Sequence, residues 1–139
     1  MTTTTATNLN GTNPNGANPN GIDLTNLIDT HLAAYCDADA DRRAALVAEV
    51  WSTDGSLIDP PFDGTGREAI AAMTDVVLAH YPGHAFRRTT VVDAHHKFAR
   101  YGWELVASDG AVAISGTDVV ELAADGRLGR IIGFFGDLG

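Results

Sequence analysis

The spacing of apolar and polar positions changes along the chain, and it predicts mainly helices in the first part and strands in the second. Between Leu24 and Tyr35 the apolar residues recur every three or four positions, as they do in an amphipathic helix. The same spacing predicts a second helix whose buried stripe ends at Trp51 and a third helix over 67–80. From residue 86 onwards the residues alternate or run β-branched and aromatic, which is typical of strands.

The strand pattern predicts one short strand between the second and third helices and a group of strands after the third. The short strand, 56–59, follows an exit turn at 53–55, and the later strands cover 86–92, 98–107, 111–122 and 127–135. This order indicates an α+β fold in which the helices pack on one face of a curved antiparallel sheet. Residues 1–21 are rich in Asn, Gly, Pro and Thr, so we predict a disordered N-terminal tail before a single domain over 22–139.

The composition narrows the range of functions. With 45% apolar residues the chain can bury a core without a metal or a disulfide, and Cys36 is its single cysteine. A net charge of −9 argues against nucleic-acid or anionic-membrane partners, which need a basic face. No apolar run approaches the length of a membrane span and no signal-peptide core follows Met1, so we expect a soluble cytoplasmic protein.

The two Asp-Gly turns between the last strands allow the strand register to be predicted. If Asp109-Gly110 is a two-residue hairpin loop, Tyr101 lies opposite Asp118 and Trp103 lies opposite Gly116. A shift of one residue would turn Asp118 to the other face of the sheet.

The second turn extends the same face to the last strand. If Asp125-Gly126 is also a two-residue loop, Gly133 lies opposite Asp118, and Ile131 opposite Val120. Alternation along the strands then predicts an apolar and aromatic concavity with one carboxylate. This face consists of Tyr101, Trp103, Asp118, Val120, Ile131 and Phe135. Its apolar members would form the walls of a site for a ring-shaped ligand, or they are core residues only.

Asp59 and Asp118 are charged residues inside short apolar strand patterns, where ionised carboxylates are rarely buried without a reason. Two such carboxylates facing one cavity could divide the roles of acid and base. Each also has an interpretation without function. Asp59 could accept hydrogen bonds from turn N–H groups near Phe62, and Asp118 could pair with Tyr101, His31 or an arginine inside the core.

Three stretches of this chain resemble the nuclear transport factor 2-like superfamily, a cone-shaped, cystatin-like α+β fold with three N-terminal helices. They are 51–60, 64–70 and 118–136, and the resemblance covers roughly 22–138. The superfamily includes ketosteroid isomerases and SnoaL-like polyketide cyclases. The resemblance implies that Asp59, in its Asp-Pro step, is the catalytic base, and that Asp118 is the protonated acid of an oxyanion hole. The isomerases place a tyrosine donor in the first helix, for which His31 and Tyr35 are the candidates.

Two functions remain open at this point. The first is a cofactor-independent enzyme for a small hydrophobic carbonyl compound, by isomerisation, cyclisation or dehydration. The second is a non-catalytic small-molecule binding or dimerisation module, and the resemblance suggests a homodimer in either case. We expect no metal, because the adjacent His95 and His96 are poorly placed to share one ion and no ligand cluster accompanies them. The enzyme hypothesis requires both carboxylates to line one cavity.

Overall fold

The computed structural model describes residues 23–137, and three helices and seven strands lie within that range. The predicted tail over 1–21, together with residue 22 and the last two residues, lies outside it. The helices are α1 (Leu24–Ala33), α2 (Ala40–Val50) and α3 (Arg67–His80). The strands are β1 (Trp51–Ile58), β2 (Asp63–Thr65), β3 (Ala85–Arg88), β4 (Asp93–His95), β5 (Phe98–Val106), β6 (Val112–Leu122) and β7 (Leu128–Phe135).

The first two helices begin at aspartate caps. Asp23 Oδ1 accepts a hydrogen bond from the Asn26 N–H at 3.1 Å, and Asp39 Oδ1 accepts from the Asp41 N–H at 2.9 Å. Each carboxylate satisfies a backbone donor that has no partner within the first helical turn. The third helix starts at the residue that the apolar spacing predicts, after Gly66 with a φ of 97°. Each helix has a set of buried residues, among them Ile28 in α1, Val47 in α2 and Ile70 in α3.

The strands of the described range form one mixed sheet in the order β2-β1-β7-β6-β5-β3, with β4 also paired to β5. The predicted α+β class and the curved sheet with helices on one face are confirmed. One feature differs from the prediction, because β1 runs parallel to β7 while the other pairs are antiparallel. A parallel pair between the first and last strands joins distant parts of the chain, so no local turn signal announces it.

The predicted exit turn at 53–55 is wrong, because these residues lie inside β1. Trp51 pairs with Leu128 and Ser56 with Arg130, so the residues between them bulge out of the ladder. Gly55 permits this bulge: a Cβ on it would lie 2.4 Å from Cε3 of Trp51. The glycine therefore marks a close approach inside a strand, a role that sequence alone does not distinguish from a turn.

The predicted strand over 86–92 ends early, because β3 stops at Arg88, and β4 begins just beyond the predicted range; both strands pair with β5. Between them Thr90 turns its side chain towards the partner strand, and its Oγ1 accepts the Gly102 N–H at 2.9 Å. The hydroxyl thus replaces a backbone carbonyl in the ladder, as threonine side chains often do in irregular segments.

The predicted hairpin register is confirmed for the residues of the shared face. Asp118 lies opposite Tyr101 on one side and Gly133 on the other, and Val120 lies opposite Ile131. The loops themselves are longer than the two residues assumed. A hydrogen bond from Ala107 N to Ala111 O (2.8 Å) closes the first loop. A hydrogen bond from Ala123 N to Arg127 O (2.8 Å) closes the second. In each hairpin one extra residue at a bulge, Ala113 or Gly129, restores the register that a two-residue loop would give.

The helices and the concave face of the sheet enclose the core, in which Trp51, Leu128 and Val120 are completely buried. Arg88 of β3 forms a salt bridge with Asp29 of α1, with its Nε 2.8 Å from Asp29 Oδ1. No helix of residues 23–137 is long and apolar enough to cross a membrane.

Candidate functional site

A cavity of about 600 Å³ opens between the helices and the concave face of the sheet. Buried residues form its interior, and exposed residues surround its mouth. The interior includes His31, Tyr35, Leu57, Trp103, Asp118 and Ile131. The mouth includes Pro60, Pro61, Val76, His80 and Phe135. Its volume and mostly apolar lining are typical of a small-molecule site.

Asp118 lies in the interior, on the long central strand β6, and is only 7% exposed. Its Oδ2 accepts a hydrogen bond from the Tyr101 hydroxyl at 2.6 Å, and its Oδ1 accepts one from the Trp103 indole N–H at 2.9 Å. Burial raises the pKa of this carboxyl to about 6, although the two donors oppose the rise by stabilising the ionised form. The nearby charge of Asp59 raises the pKa further. Asp118 can therefore hold a proton in a range where an ordinary aspartate cannot.

Asp59 lies immediately after β1, at the Asp-Pro step, and is partly exposed. Its Oδ1 accepts the Phe62 N–H at 3.0 Å, while its Oδ2 makes no hydrogen bond with the described part of the chain. Partial burial raises the pKa of this carboxyl, and the Phe62 N–H partly offsets the rise. The hydrogen bond from the Phe62 N–H is the contact expected if Asp59 had only a structural role, but it occupies only one of the two carboxylate oxygens.

Gly133 of β7 separates the two carboxylates. A Cβ placed on this glycine would lie 2.9 Å from Oδ1 of Asp118 and 3.0 Å from Cβ of Asp59, with Asp59 Oδ2 at 3.9 Å. Both aspartates line the cavity. The enzyme hypothesis required both carboxylates to line one cavity. This arrangement is possible because residue 133 has no side chain.

His31 and Tyr35 lie one turn apart at the end of α1 and both line the cavity. Their rings meet edge to face at 5.4 Å between centroids. Burial lowers the pKa of His31 to about 4, so its ring is neutral near pH 7. Burial, then the charges of Asp118 and Asp59, raise the pKa of Tyr35 far above its usual range. Tyr35 therefore keeps its hydroxyl proton close to both carboxylates.

The predicted ligand-binding residues separate into two groups. Trp103, Ile131 and Phe135 line the cavity. Tyr101 and Val120 are 2% and 0% exposed, and they do not line it, because both are packed inside the core. Tyr101 nevertheless reaches the site through its hydrogen bond to Asp118.

Other lining residues were not found from the sequence. They are Leu32, Pro60, Pro61, Phe62, Val76, Val77, His80, Tyr81, Phe86, Leu105 and Ile114, besides Leu57. The spacing of Val76, Val77 and His80 along one face of α3 was a usable signal. The role of Trp103 as a donor to Asp118 was also missed, because indole N–H partners are set by side-chain packing rather than by strand register.

His95 and His96 lie at the turn between β4 and β5, outside the cavity, with their Nδ1 atoms 3.1 Å apart. Within residues 23–137 no group of three or more His, Cys, Asp or Glu side chains is placed to hold a metal ion.

Comparison with known proteins identifies the family. A protein of the SnoaL-like family from Agrobacterium tumefaciens str. C58, assigned as an isomerase by inference, is 34% identical to this chain. The match covers 81% of this chain and 97% of that protein, with a TM-score of 0.77. The chain belongs to the SnoaL-like family. This confirms the resemblance that the Asp-Pro step, the Gly-Thr-Gly turn and the last strands indicated.

More distant structures share the fold of this SnoaL-like protein. One, from Jannaschia sp. CCS1 and assigned by inference as a SnoaL-like polyketide cyclase, is 16% identical, covers 80% of this chain and 85% of its own, and has a TM-score of 0.60. Another, a nuclear transport factor 2-like protein of unknown function from Exiguobacterium sp. 255-15, is 17% identical, covers 80% and 98%, and has a TM-score of 0.63. No family model matches the chain. No curated protein matches it either.

Proposed function

We propose that this SnoaL-like protein is a cofactor-independent acid/base enzyme that acts on a small hydrophobic carbonyl compound. The observation that carries the proposal is the pair of carboxylates on either side of Gly133, facing one mostly apolar cavity. Proton transfer next to a carbonyl needs a base beside the carbon and a hydrogen-bond donor beside the oxygen. The isomerase assignment of the Agrobacterium protein supports the same class of reaction.

Asp59 is the base in this proposal. Its Oδ2 has no partner among the described residues, so it is free to take a proton, while the Phe62 N–H fixes the carboxylate through Oδ1. Its greater exposure favours the ionised form compared with the buried Asp118. The proton removed from the substrate carbon would stay on Asp59 and could return to a different carbon, which gives an isomerisation.

Asp118 and Tyr35 are the donors in this proposal. A protonated Asp118 can donate from one oxygen and still accept from Tyr101 and Trp103, because a carboxylic acid keeps free lone pairs. Tyr35 keeps its proton and lies within electrostatic reach of both carboxylates, which favours it over the neutral His31 as the second donor. Both donors would strengthen their hydrogen bonds as negative charge develops on the enolate oxygen.

Isomerisation, aldol-type cyclisation and dehydration all begin with this proton removal, so the first step is the one to test. The probe is 2-tetralone, a two-ring ketone, incubated with the protein in D₂O while NMR follows exchange of the protons on the carbon next to the carbonyl. We expect exchange above the buffer rate with the native protein, and a loss of that increment of at least roughly a thousandfold in Asp59→Asn. Asp54→Asn, an exposed aspartate of β1 outside the cavity, is the matched control and should exchange at the native rate.

Equal exchange by the native protein and Asp59→Asn would remove the enzyme proposal. If 2-tetralone still bound under those conditions, the second candidate, a non-catalytic binding module, would replace it. The apolar lining of the cavity is the observation that favours this second candidate.

We also propose that the protein forms a homodimer through the outer face of the sheet. Ile58, Val119 and Phe134 lie on neighbouring strands of that face and are 37%, 38% and 58% exposed. Such a contiguous apolar surface is unusual on a monomer. The molar mass from light scattering should be twice that of the chain and should fall to the monomer in Phe134→Glu. A monomeric native protein would contradict the dimer and leave the enzyme proposal intact.

A further inference from the structure

The cavity has polar groups at two places, and the second is not used by the proposed chemistry. The first contains Asp59, Asp118 and Tyr35. The second contains His80 and Tyr81, at the end of α3, which line the same cavity. Among the exposed residues of the mouth, His80 is the titratable one.

The strand register separates the end of α3 from Asp118. Leu105 and Ile114 form a lining pair four residues along the strands from the pair of Tyr101 and Asp118. At the rise of a β-strand, four residues correspond to roughly 13 Å. The cavity therefore extends along β5 and β6, away from Asp118.

The chain connection brings the end of α3 to that far end. Ala85 pairs with Val106, the residue after Leu105. A tight turn leads into this strand, because His84 N donates to Tyr81 O at 3.2 Å. Tyr81 and the preceding His80 thus lie beside the part of the cavity that Leu105 lines.

Aromatic rings form one wall of the cavity, and one of them, Phe86, pairs with Leu105 across the strands. The Phe86 ring meets the rings of Tyr35 and Trp103, each at 5.3 Å between centroids, and Trp103 meets Phe135 at 5.6 Å. These contacts form a continuous apolar wall that suits a flat hydrophobic ligand.

The hydrogen bonding of His80 leaves one ring nitrogen available. Nδ1 lies 2.9 Å from the Val76 carbonyl oxygen, so it must donate and carry the proton. A neutral imidazole with its proton on Nδ1 has an acceptor at Nε2. The two cavity aspartates and the net charge of −9 disfavour an anionic ligand group, and a hydroxyl is a neutral group that can donate to Nε2 and suits an otherwise hydrophobic ligand.

We propose that His80 is a specificity-determining residue, whose Nε2 accepts a hydrogen bond from a hydroxyl group on the end of the ligand remote from its carbonyl. The substrate class is then a flat, hydrophobic hydroxy-ketone. This inference rests on the proposed function only for the placement of the carbonyl at Asp118, because the affinity for the hydroxyl end is independent of any reaction.

Three ketones that differ at one position test this inference: 2-tetralone, 6-hydroxy-2-tetralone and 6-methoxy-2-tetralone. The 6-position lies across the ring system from the carbonyl, and the methoxy group cannot donate a hydrogen bond. Quenching of tryptophan fluorescence reports binding in the cavity, because Trp103 lines the cavity whereas Trp51 does not. We expect the hydroxy compound to bind roughly fivefold more tightly than the methoxy compound, the value of one net hydrogen bond.

The variants assign this preference to one side chain. His80→Leu should bind all three ketones with nearly equal affinity, and His80→Gln, whose amide oxygen can accept a hydrogen bond, should keep part of the preference. His95→Leu is the matched control, since His95 is also exposed but lies outside the cavity, and it should keep the native preference.

Equal affinities for the native protein, binding of none of the three ketones, or a preference that survives in His80→Leu would each overturn the inference. The proton-exchange assay separates this failure from that of the proposed function. A preference that depends on His80 without any exchange would remove the enzyme and keep the hydroxyl site. Proton exchange without a preference for the hydroxy compound would keep the enzyme and remove the hydroxyl site.

Discussion

Asp118 and Asp59 are the same residue type in two different surroundings, and the difference between them explains how one cavity can hold both an acid and a base. Asp118 sits on a central strand with a paired neighbour on each side, almost completely buried, with a donor on each oxygen. Asp59 sits at the end of β1, partly exposed, with a single backbone donor. Burial raises the pKa of both carboxyl groups, and it raises the pKa of the more deeply buried Asp118 to about 6.

The depth of burial determines which of the two carboxyl groups holds the proton. Desolvation penalises a charge more strongly at Asp118 than at the less buried Asp59, and the charge of Asp59 raises the pKa of Asp118 further. The free protein is therefore expected to hold one proton on Asp118 while Asp59 is ionised, over a pH range that ends near 6. The proposed reaction should be fastest within that range and slower above it, as Asp118 loses its proton.

Gly133→Ala should have the largest effect among variants that keep both aspartates. The added methyl group would overlap Asp118 Oδ1 and Asp59 Cβ, so at least one carboxylate must move. We expect the exchange rate of 2-tetralone to fall roughly a hundredfold, because misplacement by about 1 Å has that order of effect.

Gly64→Ala is the control for this variant. Its methyl group would meet only side-chain atoms, Met73 Cε at 2.6 Å and Ala69 Cβ at 3.2 Å, and Gly64 does not line the cavity. Its exchange rate should remain close to that of the native protein after both have been checked for folding by thermal unfolding. A native exchange rate in Gly133→Ala would contradict the proposal that the two carboxylates on either side of Gly133 act together.

Asp118→Asn should have a smaller effect on rate and a distinctive effect on stability. The amide can still donate a hydrogen bond, so we expect the exchange rate to fall about tenfold. Because the folded pKa of about 6 exceeds the ordinary aspartate pKa of 3.8, the native protein binds more protons than the unfolded chain between these values. Its free energy of unfolding should therefore decrease as the pH rises from about 4 to about 6, by up to about 3 kcal/mol.

The stability test compares urea unfolding of the native protein and Asp118→Asn across that pH range. The variant should lose most of the decrease, because an amide does not titrate. Asp109→Asn, in an exposed hairpin turn, should behave like the native protein. The same decrease in Asp118→Asn would show that another group causes it.

Tyr101→Phe should have the smallest effect, and its direction is informative. The Tyr101 hydroxyl lowers the pKa of Asp118 by stabilising the carboxylate, so its removal should raise that pKa above about 6. The decline in exchange rate on the alkaline side should then begin at a higher pH, by less than about one unit. Trp103→Phe removes the other donor and should shift the profile in the same direction. A shift to lower pH in both variants would contradict the assignment of Asp118 as the proton carrier.

The part of the site on β6 could be predicted from the sequence because local signals determine it. Two Asp-Gly turns set the register that places Asp118 between Tyr101 and Gly133. That register was correct although both loops were assumed too short, since a bulge in each hairpin compensates for the difference. Because apolar and polar residues alternate along the strands, only one face of the sheet can pack against the core. The bulges keep the apolar residues on that face although the loops are longer than assumed.

The rest of the site depends on contacts between distant segments, which carry no local signal. The parallel pairing of β1 with β7 places Asp59 beside Gly133, and the bulge at Gly55 was mistaken for a turn. The position of His80 follows from how α3 packs over the cavity. His31 and Tyr35 both line the cavity, and no signal in the sequence distinguishes between them as the second donor.

The central claim is that Asp118 holds the proton while Asp59 is ionised, and the most direct test is a carbon-13 NMR titration of the carboxyl groups of all aspartates. Asp59→Asn and Asp118→Asn assign the two resonances. We predict that the Asp118 carboxyl titrates near pH 6 and the Asp59 carboxyl at a lower pH, with the Asp118 midpoint moving down when Asp59 is replaced. An Asp59 midpoint above that of Asp118, or an Asp118 carboxyl that titrates near 4, would contradict the account.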